Sequence, residues 1–215
     1  MPNTILSIQI GRVLTEGNPE TRDALERQWT TAFYKMPVVG PVSLNKLGLQ
    51  GDEVADTRHH GGIDKAVLCY AASHYDHWAT ELPQLNMSPG AFGENLTVIG
   101  ADERHVCIGD RYTIGDCEVE VSQPRQPCWK IARRWGVKTI TKRVTQTGRT
   151  GWYLRVTREG FLEAGQQLHL TSRPHEAWTV ARANDVMFGR GEDRAEVIEL
   201  MNLPELAAAW RSDIA

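Results

Sequence analysis

Short runs in which apolar and polar residues alternate make up most of the chain before residue 174. Such runs have the two-residue period of a β-strand with one buried face. Gly109-Asp110 and Gly115-Asp116 mark turns between short strands in the interval 106–121, and Gly165 marks the turn of a predicted hairpin over residues 160–170. The other predicted strands or extended segments are residues 5–13, 31–38, 42–49, 66–70, 117–121 and 151–156.

Helical patterns are fewer in this part of the chain. Residues 73–82 are predicted to form a helix with Ser73 as its N-cap. Residues 131–136 and 137–146 are predicted to form two short helices, each followed or ended by a glycine. Asn18-Pro19 has the composition of a helix start, although the same segment is also compatible with an ordered loop.

Beyond residue 173 the pattern changes to three short helical segments, residues 180–188, 192–201 and 204–210. We therefore divide the chain into residues 1–173 and a C-terminal extension, residues 174–215. Trp178 and Trp210 in this extension are interpreted as packing residues. The whole pattern predicts a mainly β (α+β) fold, a β-barrel with a few peripheral helices and a small three-helix appendage.

Composition narrows the functional classes. The chain has 215 residues, a net charge of −3 and a pI of about 6.2, which gives no general attraction to nucleic acid or to an anionic membrane. An anionic ligand must therefore meet a local cluster of cations. The four cysteines form no Cys-x-x-Cys pair, and we see neither a signal peptide nor an apolar run that could span a bilayer. We expect a cytoplasmic protein.

Cys128 is the first candidate for chemistry. It lies between a predicted strand and the predicted helix at residues 131–136, and Pro124 and Pro127 make the connecting link stiff. The helix N-terminus and the cations Arg125 and Lys130 favour the thiolate of a cysteine in this position. A thiolate either attacks an electrophile or binds a soft metal, whereas many free cysteines are simply buried. The local sequence leaves all three interpretations open.

A second candidate is the loop at residues 58–65. Gly61 and Gly62 allow positive φ angles and a close approach of the backbone to a ligand. They are flanked by the side chains of Arg58, His59, His60 and Lys65. The loop is suited to holding an anion, but an ordinary glycine turn with solvated charges fits the same residues. His74 and His77, three residues apart in a predicted helix, have no supporting ligand nearby and are interpreted as surface or packing residues.

Four stretches together carry a family resemblance. In order and spacing, Gly48–Asp52, His60–Val67, Gly93–Leu96 and Gln123–Lys130 resemble the MOSC family, the molybdenum cofactor sulfurase C-terminal domain proteins. The likeness extends from about Lys35 to the C-terminus, and it is strongest to the stand-alone bacterial type with a three-helix C-terminal extension. It implies a β-rich barrel with a pocket for the molybdenum cofactor, a pterin that bears a dithiolene and a phosphate.

The resemblance also implies roles for individual residues. Cys128 would ligate the molybdenum, and His60 or Glu94 would relay a proton. The adjacent His59 leaves open which of the two histidines faces the pocket. The expected cofactor-binding residues are Lys35, Arg58, His60, Gly61, Gly62, Lys65, Asn95, Gln123, Arg125 and Lys130.

The implied activity is the reduction of N-hydroxylated compounds, of the hydroxylaminopurine or amidoxime type, to amines. Electrons would come from a separate flavin or iron–sulfur protein, and neither nucleic acid nor a membrane is an expected partner. Two alternatives remain: a non-catalytic carrier of the molybdenum cofactor, and a metal-free sulfur-transfer enzyme that uses Cys128 as its nucleophile. We expect Cys69 to pack in a strand. The oligomeric state stays open, with a homodimer as one option.

Overall fold

The centre of the molecule is an eight-stranded mixed sheet. The computed structural model describes residues 2–190 and 193–214. In chain order the strands are β1 Thr4–Ile10, β2 Leu14–Glu16, β3 Trp29–Thr31, β4 Met36–Val38, β5 Val42–Asn45, β6 Gly48–Leu49, β7 Val67–Ala71, β8 Leu96–Ile99, β9 Arg111–Ile114, β10 Cys117–Pro124, β11 Trp152–Arg158, β12 Gly160–Leu162 and β13 His169–Ser172. The α-helices are α1 Ser73–Glu81, α2 Lys130–Trp135, α3 Ile140–Thr147, α4 Val180–Met187, α5 Arg194–Met201 and α6 Ala208–Ile214. Ile63–Lys65 and Pro83–Leu85 form short 3-10 turns.

The order of strands in the central sheet is β13-β9-β10-β11-β7-β8-β1-β4. The β7–β8 pair is parallel because α1 carries the chain across between them, and the other pairs are antiparallel. The segment before β13 then meets the start of β1 at the opposite side of the sheet. Gly165 N donates to Ile5 O at 2.8 Å, and Leu168 N donates to Asn3 O at 2.8 Å. The sheet therefore curves back on itself as a barrel.

Two groups of buried side chains stabilise this arrangement. The larger one fills the barrel and continues without interruption under α4, α5 and α6, where Trp178 and Trp210 are 2% and 0% exposed. Their interpretation as packing residues is confirmed, and truncating Trp210 to alanine should cost about 3–5 kcal/mol. The smaller group joins α1, α2 and α3 to the outside of the barrel through Tyr70, Trp78 and Phe92. This second group supports the peptide link that carries Cys128.

The C-terminal helices are also tied to the barrel backbone. Ala207 N donates to Ser122 O at 2.9 Å, and Val180 N donates to Val106 O at 2.8 Å. The predicted fold class, mainly β (α+β) with a barrel, peripheral helices and three short C-terminal helices, is confirmed. Within the described residues, no helix combines the length and apolar character that a membrane crossing requires.

One open alternative is resolved, and one predicted element is wrong. Residues 18–28 form the ordered loop and not the helix, since the Asn18 side chain accepts from Glu20 N at 2.9 Å and so stabilises a turn in place of a helix cap. Residues 160–170 do not form a hairpin, because β12 pairs with β5 and β13 pairs with β9. The turn glycine Gly165 is present with a φ of +91°, but long-range partners decide the pairing.

Other predicted boundaries differ by a few residues. Ala72 is the N-cap of α1, and Ser73 is its first residue. The helix predicted over residues 137–146 begins at Ile140, and the last predicted helix, residues 204–210, is observed as α6. The predicted start of the middle C-terminal helix at Glu192 lies outside the described residues. Gly136 and Gly148 end α2 and α3 with φ of +64° and +71°, as predicted.

Candidate functional site

An open cleft of about 750 Å³ lies beside the end of β10. A second, outer cleft adjoins it, and both are lined by His60, Lys65, Cys128 and Tyr153. The four stretches that carry the family resemblance thus meet around one cleft, although they are far apart in the sequence. The predicted site residues that line the inner cleft are Lys35, His60, Gly61, Lys65, Asn95, Arg125, Cys128 and Lys130.

Cys128 is held at this cleft by the link between β10 and α2. Arg125 N donates to Gly151 O at 3.0 Å, which ties the start of the link to the strand beside it. The carbonyl of Cys128 accepts from Ile131 N at 3.2 Å and from Thr141 Oγ1 at 3.3 Å. The end of the link is therefore fastened to both α2 and α3. Cys128 is partly exposed and lines both clefts.

The other three cysteines are buried. Cys69 lies in β7 with no exposed surface, so the expectation that it packs in a strand is confirmed. Burial raises the pKa of the Cys69 thiol far above its ordinary value, and burial raises the pKa of Cys107 and of Cys117 to about 11. Thiol chemistry in this chain is thus concentrated at Cys128.

Two buried cations stand next to Cys128 without a carboxylate partner. Arg125 is 3% exposed and Lys130 is 8% exposed. Arg125 donates to the carbonyls of Phe92 at 3.2 Å and Thr150 at 3.5 Å, but neither cation has an ion pair within the described ranges 2–190 and 193–214. A buried charge is costly unless an opposite charge accompanies it. The pair therefore forms a site that an anion would complete.

Lys65 adds a third cation to the same side of the cleft. Its ammonium donates to His59 O at 2.9 Å. Burial lowers the pKa of Lys65, while the carboxylates of Asp213 and Asp64 oppose this shift. Asp213 belongs to α6 and lines the outer cleft together with Ala209 and Ser212. The C-terminal extension thus contributes part of the lining of the outer cleft.

His60, not His59, is the histidine that faces the inner cleft. Burial lowers the pKa of His60 to about 4, and the nearby cations Lys130 and Arg125 add to this shift. Its imidazole is therefore uncharged at neutral pH, so it can accept a proton or a hydrogen bond. The ring of His59 is exposed and lies 3.1 Å from Asp56 Oδ2, and Arg58 is exposed at the edge of the outer cleft.

The two glycines of this loop have different surroundings. Gly61 has a φ of +72°, and a Cβ at this position would lie 3.0 Å from Val54 Cγ2. A side chain here would be strained and crowded. Gly62 has a φ of +83° with open space around it, and it does not line either cleft. The loop conformation that places His60 beside Cys128 therefore requires positive φ at both positions.

Lys35 and Asn95 form an internally bonded wall of the inner cleft. The Lys35 ammonium contacts Asp52 and lies 2.6 Å from its Oδ2. Asp52 also accepts from Gly11 N at 2.7 Å and from Asn95 Nδ2 at 2.8 Å. Burial lowers the pKa of Lys35, and the neighbouring Asp52 carboxylate counteracts this effect. The charge of Lys35 is thus already compensated within the protein.

The structure does not bring the Glu94 side chain into the cleft. Its carboxylate is completely buried and accepts from Gly90 N at 2.7 Å, Phe92 N at 3.1 Å and Thr97 Oγ1 at 3.1 Å. The hydroxyl of Tyr75 donates to it as well. Glu94 therefore shapes the turn at residues 90–94, and we no longer include it among the proposed proton relays.

Gln123 carries an unsatisfied buried acceptor. The side chain is 1% exposed, and its Nε2 donates to Pro124 O at 3.2 Å. Its Oε1 has no hydrogen-bond donor within the part of the chain that the structure describes, although Gln123 lines the outer cleft. A buried carbonyl oxygen without a donor is uncommon in native proteins and marks a position where a ligand N–H fits.

Several residues of the cleft have no role that was predicted from the sequence. Tyr153 lies in β11 and lines both parts, and Trp129 follows Cys128 with 54% of its surface exposed. A role for Trp129 could have been predicted from the sequence, because this aromatic residue directly follows Cys128. The α6 residues had no such signal, because their position depends on how the C-terminal helices pack against the barrel.

The donor set fits a cofactor that brings its own metal ligands. No cluster of three or more His, Cys, Asp or Glu able to hold a metal exists in residues 2–190 or 193–214. A metal at Cys128 would therefore need further ligands from outside the protein. The unpaired cations Arg125 and Lys130 and the free Gln123 Oε1 fit a group that carries both an anion and N–H donors.

Comparisons with known proteins agree with this fold and cleft. A family model described as the MOSC domain matches residues 56–169, and the chain belongs to the MOSC family, whose domain binds the molybdenum cofactor. Within that family it is of the YiiM-like type, since a second model, the YiiM-like 3-alpha helix domain, matches residues 178–213. The predicted family membership is confirmed.

Three relatives illustrate this similarity. The protein YflK of Bacillus subtilis is 38% identical over 209 residues, which cover 97% of this chain and 91% of YflK. A protein of Gibberella moniliformis named "Reductase" is 35% identical over 206 residues, and the match covers 94% of this chain but only 35% of that protein. The crystal structure of YiiM from Geobacillus stearothermophilus superposes with a TM-score of 0.81 at 33% identity, covering 100% of both chains.

Proposed function

We propose that this chain is a molybdenum-cofactor oxidoreductase that reduces N-hydroxylated compounds, of the hydroxylaminopurine or amidoxime type, to the corresponding amines. The observation that carries the proposal is the partly exposed thiol of Cys128 beside two buried cations that have no carboxylate partner among the described residues. MOSC membership and a relative named as a reductase support an oxidoreductase over a simple binding protein.

Each part of the cleft has a proposed role toward the cofactor. The thiolate of Cys128 would be the protein ligand of molybdenum, which prefers soft sulfur donors. Arg125, Lys130 and Lys65 would bind the phosphate, and Gln123 Oε1 would accept an N–H from the pterin. When bound, the cofactor supplies a metal centre that transfers two electrons to the substrate. Lys35 would form the cleft wall instead of contacting the phosphate, because Asp52 already neutralises it.

The reaction must also deliver protons. The conversion of R–NH–OH to R–NH2 and water consumes two electrons and two protons. His60 is the residue of the cleft that is suited to this task, because its neutral ring can take a proton at one nitrogen and release the proton held at the other. The electrons would come from a separate flavin or iron–sulfur protein.

Two measurements test this proposal, first the metal content of the protein and then its turnover of substrate. We expect protein from a host that makes the cofactor to contain about one molybdenum per chain, and we expect anaerobic turnover of a hydroxylamino base with a chemically reduced dye. Cys128→Ser should abolish that turnover. Molybdenum without turnover would favour the carrier alternative, and no molybdenum would remove both cofactor-based functions.

The second alternative, sulfur transfer by a nucleophilic Cys128, has less support. A mechanism with two thiols would need a second accessible cysteine, but Cys69 is fully buried in β7. Metal-free protein in which Cys128 takes a sulfane sulfur from a persulfide donor, with release of the donor thiol, and passes that sulfur to an acceptor would support this alternative.

The anion site can be tested separately in cofactor-free protein. Millimolar inorganic pyrophosphate should raise the melting temperature of the wild type, because a ligand that binds only the native state stabilises it. Arg125→Met should remove most of this rise, whereas Arg58→Met, at the exposed edge of the outer cleft, should preserve it. An equal rise in both variants would show that the anion does not bind at Arg125.

A further inference from the structure

One stretch of the chain is entirely free of acidic residues. Residues 123–158 contain ten of the 24 Lys and Arg and none of the 27 Asp and Glu, although the whole chain has a net charge of −3. The stretch includes the cleft residues Arg125 and Lys130, and five of its ten cations lie beyond them on α2, α3 and the turn between these helices.

The cations of this turn and these helices form a surface that we name the basic face, made of Arg134, Lys138, Lys142 and Arg143. Lys138 and Lys142 are exposed, and the two arginines are partly exposed. None of the four has an ion pair with a carboxylate in the described ranges, whereas most arginines on other elements do. Among residues 2–190 and 193–214, no carboxylate thus compensates the charge of the basic face.

One of these charges is also unfavourable for the helix that carries it. Lys142 stands in the first turn of α3, where the helix dipole favours anions, and α3 has no acidic residue in that turn. Helix stability alone would favour glutamate at this position. A partner that supplies negative charge would explain why a cation is accommodated there.

The basic face adjoins the candidate metal ligand. The Thr141 hydroxyl, next to Lys142, donates to the carbonyl of Cys128 at 3.3 Å. The exposed ring of Trp129 lies 5.4 Å from the ring of Trp29, with the guanidinium of Arg133 5.1 Å from the Trp29 ring. An exposed aromatic residue bordered by fixed cations is typical of a protein interface.

We propose that the basic face and Trp129 are the docking surface for an acidic electron-transfer protein. This inference rests on the proposed function, which needs electrons from outside the chain. Opposite charges would steer the donor to this side and orient its redox centre toward Cys128. Nucleic acid is the less suitable polyanion, because the reaction requires a partner that carries a redox group to this position.

The test compares two donors in three proteins, all loaded with cofactor. Lys138→Gln/Lys142→Gln removes two positive charges from the basic face. The control His169→Glu/Ser172→Glu changes the net charge equally on β13, which is exposed and pairs with β9. β9 in turn pairs with the first half of β10, whose start lies roughly 23 Å along that strand from its end near Cys128. The donors are a reduced plant-type [2Fe–2S] ferredoxin, which is acidic, and a chemically reduced viologen dye.

We expect kcat/KM for ferredoxin to fall roughly tenfold in the basic-face variant and to stay within about twofold in the control. Turnover with the dye should be unchanged in all three proteins. Raising the salt concentration should slow the ferredoxin reaction of the wild type and affect the basic-face variant less. Equal ferredoxin rates in the variant and the control, or a wild-type rate independent of salt, would overturn the proposal.

Binding gives a readout that does not depend on turnover. Ferredoxin affinity measured on a biosensor at low salt should weaken in the basic-face variant only. A labelled DNA duplex that bound the wild type more tightly than ferredoxin, and was released by the same two substitutions, would instead assign the basic face to nucleic acid. Absence of dye turnover in every protein would refute the proposed function, whereas the binding result would still decide the docking surface.

Discussion

Replacing Asp52 by asparagine should destabilise the protein strongly, because this substitution removes one charged partner of a buried ion pair and leaves the other in place. The Lys35 and Asp52 side chains are 9% and 11% exposed. The Asp52 carboxylate also accepts from Gly11 N and Asn95 Nδ2, so an amide would set an NH2 group against at least one of these three donors. Removing one partner of a buried pair costs about 3–5 kcal/mol.

The low end of that range applies here. Burial already lowers the pKa of Lys35, so the side chain can lose its proton once Asp52 no longer stabilises the charge. We expect Asp52→Asn to lower the free energy of unfolding by about 3 kcal/mol at neutral pH. For a chain of this size that corresponds to a fall of roughly 6–12 °C in Tm.

Urea denaturation at several pH values measures this loss. In the variant the folded-state pKa of Lys35 lies below its unfolded-state value, so the unfolded protein binds more protons between the two values and stability rises with pH there. The Asp52→Asn variant should therefore recover part of its lost free energy of unfolding at about pH 9.5. The double variant Lys35→Met/Asp52→Asn should be more stable than Asp52→Asn alone, because no charge remains buried.

The neighbouring exposed pair Arg12–Glu53 provides the control. Its side chains are 72% and 39% exposed, so Glu53→Gln should have a much smaller effect. Wild-type stability of Asp52→Asn to within about 1 kcal/mol would contradict the predicted loss, and so would a Lys35→Met substitution that does not reduce the cost of the change at Asp52.

Three further outcomes concern His60 and two of the cysteines. His60→Gln should flatten the pH dependence of stability between about pH 6.5 and about pH 4. A histidine whose pKa is lowered in the folded state contributes fully to stability above this window, and the contribution is lost as the pH falls through it. Urea titrations of both proteins at several pH values in this window measure the difference. Cys69→Ser should keep dye-driven activity nearly intact but cost about 1–3 kcal/mol of stability by burying a hydroxyl, as thermal and urea melts would show. Cys128→Ser should remove dye-driven activity with little change in Tm, and full activity would disprove the assignment of the metal ligand.

The stretch around Cys128 was predictable because its constraints are local. Pro124 and Pro127 stiffen the link, and Gly136 ends the following helix, so strand, link and helix follow from neighbouring residues. The cations Arg125 and Lys130 were likewise visible in the sequence. What the sequence could not give is their burial without a carboxylate partner, which depends on every element packed around them.

Glu94 and the β12–β13 region illustrate the opposite case. Glu94 follows a glycine and could have pointed into the cleft, but the amides of Gly90 and Phe92 turn inward and bind its carboxylate. Residues 160–170 have the composition of a hairpin, yet their strands find partners in β5 and β9. In both cases several local conformations fit the sequence, and contacts from distant residues select one.

The distribution of the four cysteines makes the protein a natural single-site labelling target. The other three thiols are buried, so a maleimide or iodoacetamide reagent at mild pH should modify Cys128 alone, without any engineered substitution. A spin label or fluorophore introduced in this way would report from the floor of the cleft. The fraction of chains protected from the reagent would then count how many molecules in a preparation carry a ligand at that thiol.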